Sequence, residues 1–212
     1  MPVNEKQSSG IVLYQRTQYQ ISGVSRWYWD YKDNFVIRAL DGSGQNILDI
    51  GCGEGILLEK LSAQFPDRKI IGIDFMQENV DICKSFGLCA VRMDVYHLDL
   101  PDNSIDGVAF MEVIEHLADP ELAIRELNRV LCAGGKLALV FPNDIVFKLA
   151  RLMMLRFREM TNDYGHVKQW THREVNFLLN NCGFDVISHK SIPFGFWPLS
   201  LHGVIVARKT SK

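Results

Sequence analysis

Five short apolar runs alternate with helical patterns between residues 46 and 142. The runs read NILDI, KIIGID, CAVRMD, IDGVAFMEV and KLALVFP, and they are apolar at nearly every position, as in strands that are covered on both faces. The helix candidates between them are Gly55–Phe65, Gln77–Phe86 and Pro120–Cys132. Because a strand, a helix and a further strand in succession require parallel pairing through crossover helices, the pattern predicts an open, doubly wound α/β sheet.

The pattern changes after Pro142. The stretch THREVNFLLNNCGF predicts a helix with Thr171 as its N-cap and Glu174 completing a capping box. The segments FDVISHKSI and HGVIVARK follow one another through the short PFGFWPLSL and suit an antiparallel edge. We expect a single domain over 212 residues, divided into a helical cap (1–45), a core (46–142), an insert (143–170) and a C-terminal helix with antiparallel strands (171–212).

The net charge and the cysteine content indicate which classes of partner and which cellular compartment are favoured. A net charge of −2 and a pI of about 6.3 do not favour a nucleic-acid partner. The five cysteines lack any CxxC pair and suggest thiols in a reducing compartment, not disulfides or a zinc site. The start MPVNEKQSSG has no signal-peptide pattern, and no apolar run is long enough for a bilayer. We therefore expect a cytoplasmic protein.

A glycine-rich turn joins the first predicted strand to the first predicted helix. Gly51, Gly53 and Gly55 permit positive φ and a close approach of the backbone to a ligand, beside the free N–H groups of a helix N-terminus. The spacing is G-x-G-x-G, and Ile56 takes the place where a dinucleotide fingerprint needs its third glycine. A nicotinamide-dependent oxidoreductase is therefore disfavoured. A turn that binds nothing is the remaining alternative.

Three acids stand at the ends of successive predicted strands. Asp49 precedes the glycine turn, where a carboxylate repels a pyrophosphate but can hold a cation or an amino group through water. Asp74 can accept hydrogen bonds from a ribose diol, and Asp94 can accept one from an exocyclic adenine amine. One such acid alone is often only a helix cap. Three of them beside a glycine turn indicate a binding site.

These segments resemble the class I S-adenosylmethionine-dependent methyltransferases, in particular the type 11-like enzymes that act on small molecules. The matching stretches are ILDIGCGEG, GIDFMQENV, MDVYHLDLPDNSIDGVAFMEVIEHLADP and LNRVLCAGGKLALVFPN. The resemblance implies a seven-stranded Rossmann-like sheet whose last strand is antiparallel, with 46–142 as the cofactor-binding core. It also implies S-adenosylmethionine as the cofactor and S-adenosylhomocysteine as the product.

The resemblance further implies which residues surround the cofactor. The glycine turn is expected to line the methionine moiety, Asp74 to bind the ribose, and Asp94 with Val95 to hold the adenine. The aromatic stretch SRWYWDYKDNFVIRAL resembles, more loosely, the lead-in of methyltransferases of glycan and lipid-linked saccharide pathways, and Tyr28 or Trp29 is expected to close over the cofactor. The alternative is that these aromatic residues form the core of the cap. The candidate cofactor-binding residues are Tyr28, Asp49, Gly51, Cys52, Gly53, Gly55, Asp74, Phe75, Met76, Asp94, Val95 and Glu112.

The stretch MEVIEHLADP supplies the candidate catalytic residues. If a helix has begun there, Glu112, Glu115 and His116 share one face. This pattern resembles one that holds a divalent cation in quinone-biosynthesis O-methyltransferases and small-RNA 2′-O-methyltransferases, and His166 would be a further ligand. We favour the alternative, in which no metal binds and His116 acts as a general base or positions the acceptor. His166 is the second catalytic candidate, and its alternative role is to cap or pack before the helix that follows Thr171.

The sequence therefore predicts methyl transfer to an oxygen of a small molecule, such as a sugar, a quinone or a lipid-linked intermediate. The alternatives are a metal-assisted RNA 2′-O-methyltransferase, disfavoured by the lack of a basic tract, and a non-catalytic S-adenosylmethionine-binding module. The insert FKLARLMMLRFREM favours an amphipathic helix on the sheet. A second hypothesis makes 145–160 a lid that touches a membrane surface or a lipid-linked substrate.

Overall fold

The computed structural model describes residues 13–21, 23–143, 146 and 167–210. The helices of this part of the chain are α1 (Gln15–Gln20), α2 (Val24–Leu40), α3 (Ile56–Gln64), α4 (Gln77–Ser85), α5 (Pro120–Val130) and α6 (His172–Asn181). The strands are β1 (Asn46–Ile50), β2 (Lys69–Asp74), β3 (Ala90–Arg92), β4 (Ile105–Met111), β5 (Leu131–Pro142), β6 (Phe184–Ile192) and β7 (His202–Lys209). Short 3₁₀ turns lie at Ile114–His116 and Trp197–Leu199.

The strands form a seven-stranded sheet in the order β3-β2-β1-β4-β5-β7-β6. Strands β1 to β5 are parallel, and β7 runs antiparallel between β5 and β6. The predicted doubly wound sheet with an antiparallel last strand is therefore confirmed. The chain leaves β1 towards β2 on one side and returns to β4 on the other, so a crevice is expected outside the carboxyl ends of β1 and β4.

The strands are apolar at successive positions because helices cover both faces of the sheet. In β5, Leu137, Leu139 and Phe141 pack on the face covered by α5 and α6. Ala138 and Val140, which alternate with them, pack on the opposite face with α2, α3 and α4. Neighbouring side chains of a strand point to opposite faces, so each face receives an apolar set.

The element boundaries differ from the predicted ones by a few residues. The helix expected over Pro120–Cys132 ends at Val130, because Leu131 is already extended and begins β5. The third predicted strand shortens to three residues. The predicted capping box is confirmed: Glu174 N–H donates to Thr171 Oγ1 at 3.3 Å, and Thr171 N–H donates to Glu174 Oε2 at 3.0 Å.

Two predictions lie outside the described residues. They are the amphipathic or membrane-touching helix of 145–160 and the role of His166. Among the helices that the structure describes, none is long and apolar enough to cross a membrane.

Candidate active site

The glycine turn between β1 and α3 adopts the backbone conformation that its glycines allow. Gly51, Gly53 and Gly55 have φ values of +69°, +52° and +79°, in the left-handed region that side chains disfavour. The N–H groups of Gly51 and Cys52 donate to the carbonyl of Ile73 at 2.7 and 3.1 Å, which fixes the turn to the end of β2. The predicted tight turn is therefore present, and it is anchored to the neighbouring strand.

The first two glycines of the turn also make room for other parts of the protein. A Cβ on Gly51 would lie 2.3 Å from Val113 Cγ2, in the segment after β4. A Cβ on Gly53 would lie 2.5 Å from Gln15 Oε1, at the start of α1. Both separations are far below van der Waals contact. The turn is thus enclosed by the segment after β4 and by α1.

One carboxylate, that of Glu54, connects helix α1 to the glycine turn through hydrogen bonds. Glu54 accepts the backbone N–H groups of Tyr14, Gln15 and Arg16 at 2.7, 2.9 and 2.7 Å. In return, Arg16 Nε donates to the carbonyl of Glu54 at 2.7 Å, and both side chains are buried. An acid at a helix N-terminus satisfies free N–H groups and interacts favourably with the helix dipole. Sequence reasoning missed Glu54, because its partners lie about forty residues earlier in the chain.

Asp49 is the buried acid next to the turn. It is 2% exposed, and its Oδ2 has no hydrogen-bond partner among the described residues. Burial, together with the charges of Asp33, Cys83 and Asp74, raises its pKa well above the ordinary value. A buried acceptor without a partner is unusual in folded proteins. The site would be completed by a ligand that brings a cationic or hydrogen-bonding group to this oxygen.

Asp74 ends β2 directly beside the turn. Its carboxylate accepts from Gly53 N–H at 2.9 Å, from Met76 N–H at 2.8 Å and from Asn79 Nδ2 at 3.1 Å. Phe75 and Met76 follow it and are 61% and 50% exposed. A buried carboxylate with two exposed apolar side chains next to it offers both a polar contact and a surface for a flat ring.

Asp94 lies just beyond β3 and borders the same edge. Met93 N–H donates to the carbonyl of Asp74 at 3.1 Å, which holds the two strand ends together. Asp94 itself accepts from Tyr96 N–H at 3.0 Å, and Val95 packs on the core cluster beneath it. The structure therefore brings the three predicted strand-end acids and the glycine turn to one edge of the sheet.

The segment after β4 does not form the predicted helical face. Glu112 has a φ of +55°, only a short 3₁₀ turn covers Ile114–His116, and helix α5 starts at Pro120. Glu115 is buried, whereas Glu112 and His116 are exposed. The shared-face prediction for Glu112, Glu115 and His116 is therefore wrong, because the chain is still turning at these positions. Among the described residues, no group of three or more His, Cys, Asp or Glu could hold a metal ion.

Glu112 instead takes part in a network of four side chains. Its Oε1 accepts a hydrogen bond from Lys32 Nζ and lies 2.7 Å from His202 Nε2. The hydroxyl of Tyr28 lies 2.7 Å from Nδ1 of the same imidazole. The side chains of Lys32 and His202 are 6% and 4% exposed, whereas that of Glu112 is 40% exposed. The network is thus buried at one end and open at the other.

The electrostatics of this network follow from its contacts. Although 40% of the Glu112 side chain is exposed, its carboxylate packs against buried groups, and this partial desolvation raises the pKa. Lys32 and His202 outweigh that effect and leave the pKa below its ordinary value. Burial, with the charge of Glu112, raises the pKa of Tyr28. At neutral pH, Glu112 is therefore ionised and the Tyr28 hydroxyl keeps its proton. Sequence reasoning missed Lys32 and His202, since nothing in their local sequences marks them.

A family model described as a methyltransferase domain matches residues 48–139. A probable S-adenosylmethionine-dependent methyltransferase of Mycolicibacterium smegmatis is 31% identical over 166 residues, which are 75% of this chain and 60% of that protein. A ubiquinone biosynthesis O-methyltransferase of Xanthomonas oryzae is 34% identical over 113 residues, which are 50% of this chain and 46% of that protein. The chain thus spans between about half and three fifths of these relatives.

Solved structures share the fold at low sequence identity. The magnesium protoporphyrin IX methyltransferase of Synechocystis, solved with bound S-adenosylhomocysteine, superposes with a TM-score of 0.68 and 17% identity over 92% of each chain. A protein of Pyrococcus horikoshii superposes with a TM-score of 0.69 and 16% identity, over 92% of this chain and 95% of that chain.

Proposed function

We propose that this chain is a class I S-adenosylmethionine-dependent methyltransferase that transfers the methyl group of S-adenosylmethionine to an oxygen of a small molecule. The match of residues 48–139 to a methyltransferase-domain model and the similarity to a probable S-adenosylmethionine-dependent methyltransferase support this proposal. The observation that carries this proposal is the buried oxygen of Asp49, which has no hydrogen-bond partner in the described part of the chain, next to the left-handed glycine turn. This arrangement suits a ligand with a cationic amino group and a chain that passes close to the backbone.

The residues of this edge fit the cofactor part by part. Asp49 would face the ammonium group of the methionine moiety, whose charge offsets the cost of the buried carboxylate. The left-handed turn at Gly51 would let that moiety pass along the backbone. Asp74 would accept from the ribose, and Asp94 with Val95 would hold the adenine. Cys52 and Gly55 belong to the turn, while Phe75 and Met76 would cover the adenosine.

The bound cofactor supplies a methyl group that its sulfonium already makes electrophilic. The protein's own task is to hold the donor and the acceptor in line and to exclude water. Ligands of open α/β sheets bind outside the carboxyl ends of the strands, so the acceptor would enter near Glu112 and Val113. An oxygen acceptor is supported by the likeness to the ubiquinone biosynthesis O-methyltransferase over half of the chain.

The proposal is tested first by calorimetric titration with S-adenosylmethionine, S-adenosylhomocysteine and NAD. We expect saturable binding of the first two alone. Asp74→Asn should weaken that binding by roughly tenfold to a hundredfold, because one strong acceptor oxygen is lost. The matched control is Asp67→Asn, an exposed acid at the opposite end of β2, which should bind the donor like the wild type.

The second step is transfer of a radiolabelled methyl group to panels of catechols, quinone precursors and sugars. Label in an ether product would support the proposal. Donor binding without transfer to any acceptor would contradict it and would favour a non-catalytic module. Transfer to RNA alone would contradict the small-molecule acceptor.

A further inference from the structure

We infer that Tyr28, His202 and Glu112 form a proton relay, in which Tyr28 takes the proton of the acceptor's hydroxyl group during methyl transfer. This inference rests on the proposed function, since only a hydroxyl acceptor has a proton to release. Tyr28 is the catalytic residue of the relay, and His202 and Glu112 are positioning residues that act through it.

Hydrogen-bond geometry fixes the direction of the relay. The Glu112 carboxylate can only accept, so the His202 nitrogen 2.7 Å away must carry the hydrogen at Nε2. In a neutral ring Nδ1 then holds a lone pair, to which the Tyr28 hydroxyl 2.7 Å away donates; the longer 3.5 Å contact of that hydroxyl with the carbonyl of Ile192 is the weaker alternative. The imidazole is thereby held in the tautomer that can receive a proton from the tyrosine.

The charges around the imidazole support the same direction. Lys32 on α2 donates to the same Oε1 of Glu112 and keeps that carboxylate ionised. An ionised carboxylate stabilises the imidazolium that forms when His202 gains a second proton. Among the described residues, Tyr31 is a further titratable group close to Tyr28; it lies one turn along α2, and its ring centroid is 6.4 Å from that of Tyr28.

The relay lies at the edge of the sheet where an acceptor would bind. His202 begins β7 and pairs with Pro142 at the carboxyl end of β5. Glu112 directly follows β4, and its N–H donates to the carbonyl of Val140 at 2.9 Å. The next residue, Val113, packs so closely on Gly51 that a Cβ there would collide with it. The relay therefore borders the glycine turn.

The proposed step balances in atoms and charge. The acceptor oxygen forms a bond to the methyl carbon, and the carbon–sulfur bond breaks with its electron pair left on sulfur. The hydroxyl proton of the acceptor moves to the Tyr28 oxygen as the tyrosine's own proton moves to His202 Nδ1. The positive charge of the sulfonium is thus replaced by that of the imidazolium, which later releases its proton to water.

The resting tautomer can be measured without an acceptor. We would label the protein with ¹⁵N-histidine, saturate it with S-adenosylhomocysteine and record NMR spectra of the imidazole nitrogens near neutral pH. The signal that is lost in the His202→Gln variant identifies His202. The relay requires hydrogen on Nε2 and none on Nδ1. Hydrogen on Nδ1, or a doubly protonated ring, would overturn it, because the ring would then have no site for the tyrosine proton.

Kinetics test the same relay with the acceptor that the wild-type enzyme methylates fastest in the panel above. Tyr28→Phe should lower kcat by about a hundredfold or more while donor affinity stays within about twofold. His202→Gln should lower kcat in the same way and serves as the second variant. The wild-type kcat/KM should rise with pH because the relay must pass the acceptor's proton on to solvent, and both variants should lack this rise.

The matched control is Tyr31→Phe, whose ring stacks on Trp27 with centroids 5.4 Å apart. It should keep both the wild-type kcat and the pH profile. A Tyr28→Phe enzyme as active as the Tyr31→Phe enzyme would overturn the relay and leave the proposed function intact. A wild-type enzyme that methylates no hydroxyl acceptor would overturn both.

Discussion

Asp49, Asp74 and Asp94 lie at the carboxyl ends of β1, β2 and β3: Asp49 is the penultimate residue of its strand, Asp74 is the last, and Asp94 lies two residues beyond. We call these acids, with the glycine turn, the donor half. At the ends of β4 and β7, the network of Tyr28, Lys32, Glu112 and His202 forms the acceptor half. Its hydrogen bonds join residues that are 80 to 174 positions apart. The donor half is thus encoded locally through the backbone, whereas the acceptor half exists only once the chain has folded.

The largest effect on donor binding is expected from a substitution in the glycine turn of the donor half. Gly51→Ala adds a Cβ where φ is +69° and where Val113 leaves no room, so we expect loss of donor binding by more than about a hundredfold and a marked loss of stability. The measurements are donor titration and urea unfolding.

Gly87→Ala is the control, because its φ is +75° but no atom lies within 4 Å of the added Cβ. It should cost only the conformational strain, about 1–2 kcal/mol, and keep donor affinity. Equal effects of the two variants would mean that the enclosure by Val113 is unimportant.

A smaller effect is expected in the acceptor half, from Glu112→Gln. The variant leaves Lys32 buried without its anionic partner, so the free energy of unfolding should fall at neutral pH. The pKa of Glu112 is lower in the folded protein than its ordinary value of 4.5. The stabilisation that its charge provides is therefore complete above that ordinary value and disappears as the pH falls through the folded pKa.

The difference in unfolding free energy between the wild type and Glu112→Gln should therefore shrink below about pH 4, as measured by urea denaturation across pH. Glu121→Gln, which breaks a pair with Arg125 in which both side chains are 55% exposed, should change little at any pH. A difference for Glu112→Gln that persists unchanged in acid would contradict the ion pair.

The sequence predicted the sheet because buried strands leave continuous apolar runs, and it predicted the donor half because glycines and strand-end acids carry their own local signal. It predicted the wrong arrangement for Glu112, Glu115 and His116, because a helical spacing cannot reveal that Glu112 adopts φ +55°. It gave no sign of His202, whose partner Glu112 follows a strand that comes near it only in the folded sheet. The functional roles of His116 and of the cofactor-binding set stay predictions.

The smallest effect is expected outside both halves, from Thr171→Ala. Losing the N-cap of α6 should cost about 1 kcal/mol, because the N–H of Glu174 loses its partner. Thermal unfolding should register a modest drop, and donor affinity should not change. A change in donor affinity would show that α6 is coupled to the donor half and does not lie outside both halves.

The hydrogen bonds of the Glu54 carboxylate bear on how fast the donor half can exchange its ligand. It holds three successive amides of the first helix, so these hydrogen bonds open together as the helix leaves the turn. Their exchange with deuterated solvent then measures a single equilibrium, the undocking of α1. Such undocking would set how quickly spent donor can be replaced, so the first helix, which encloses the glycine turn, would control the rate of turnover.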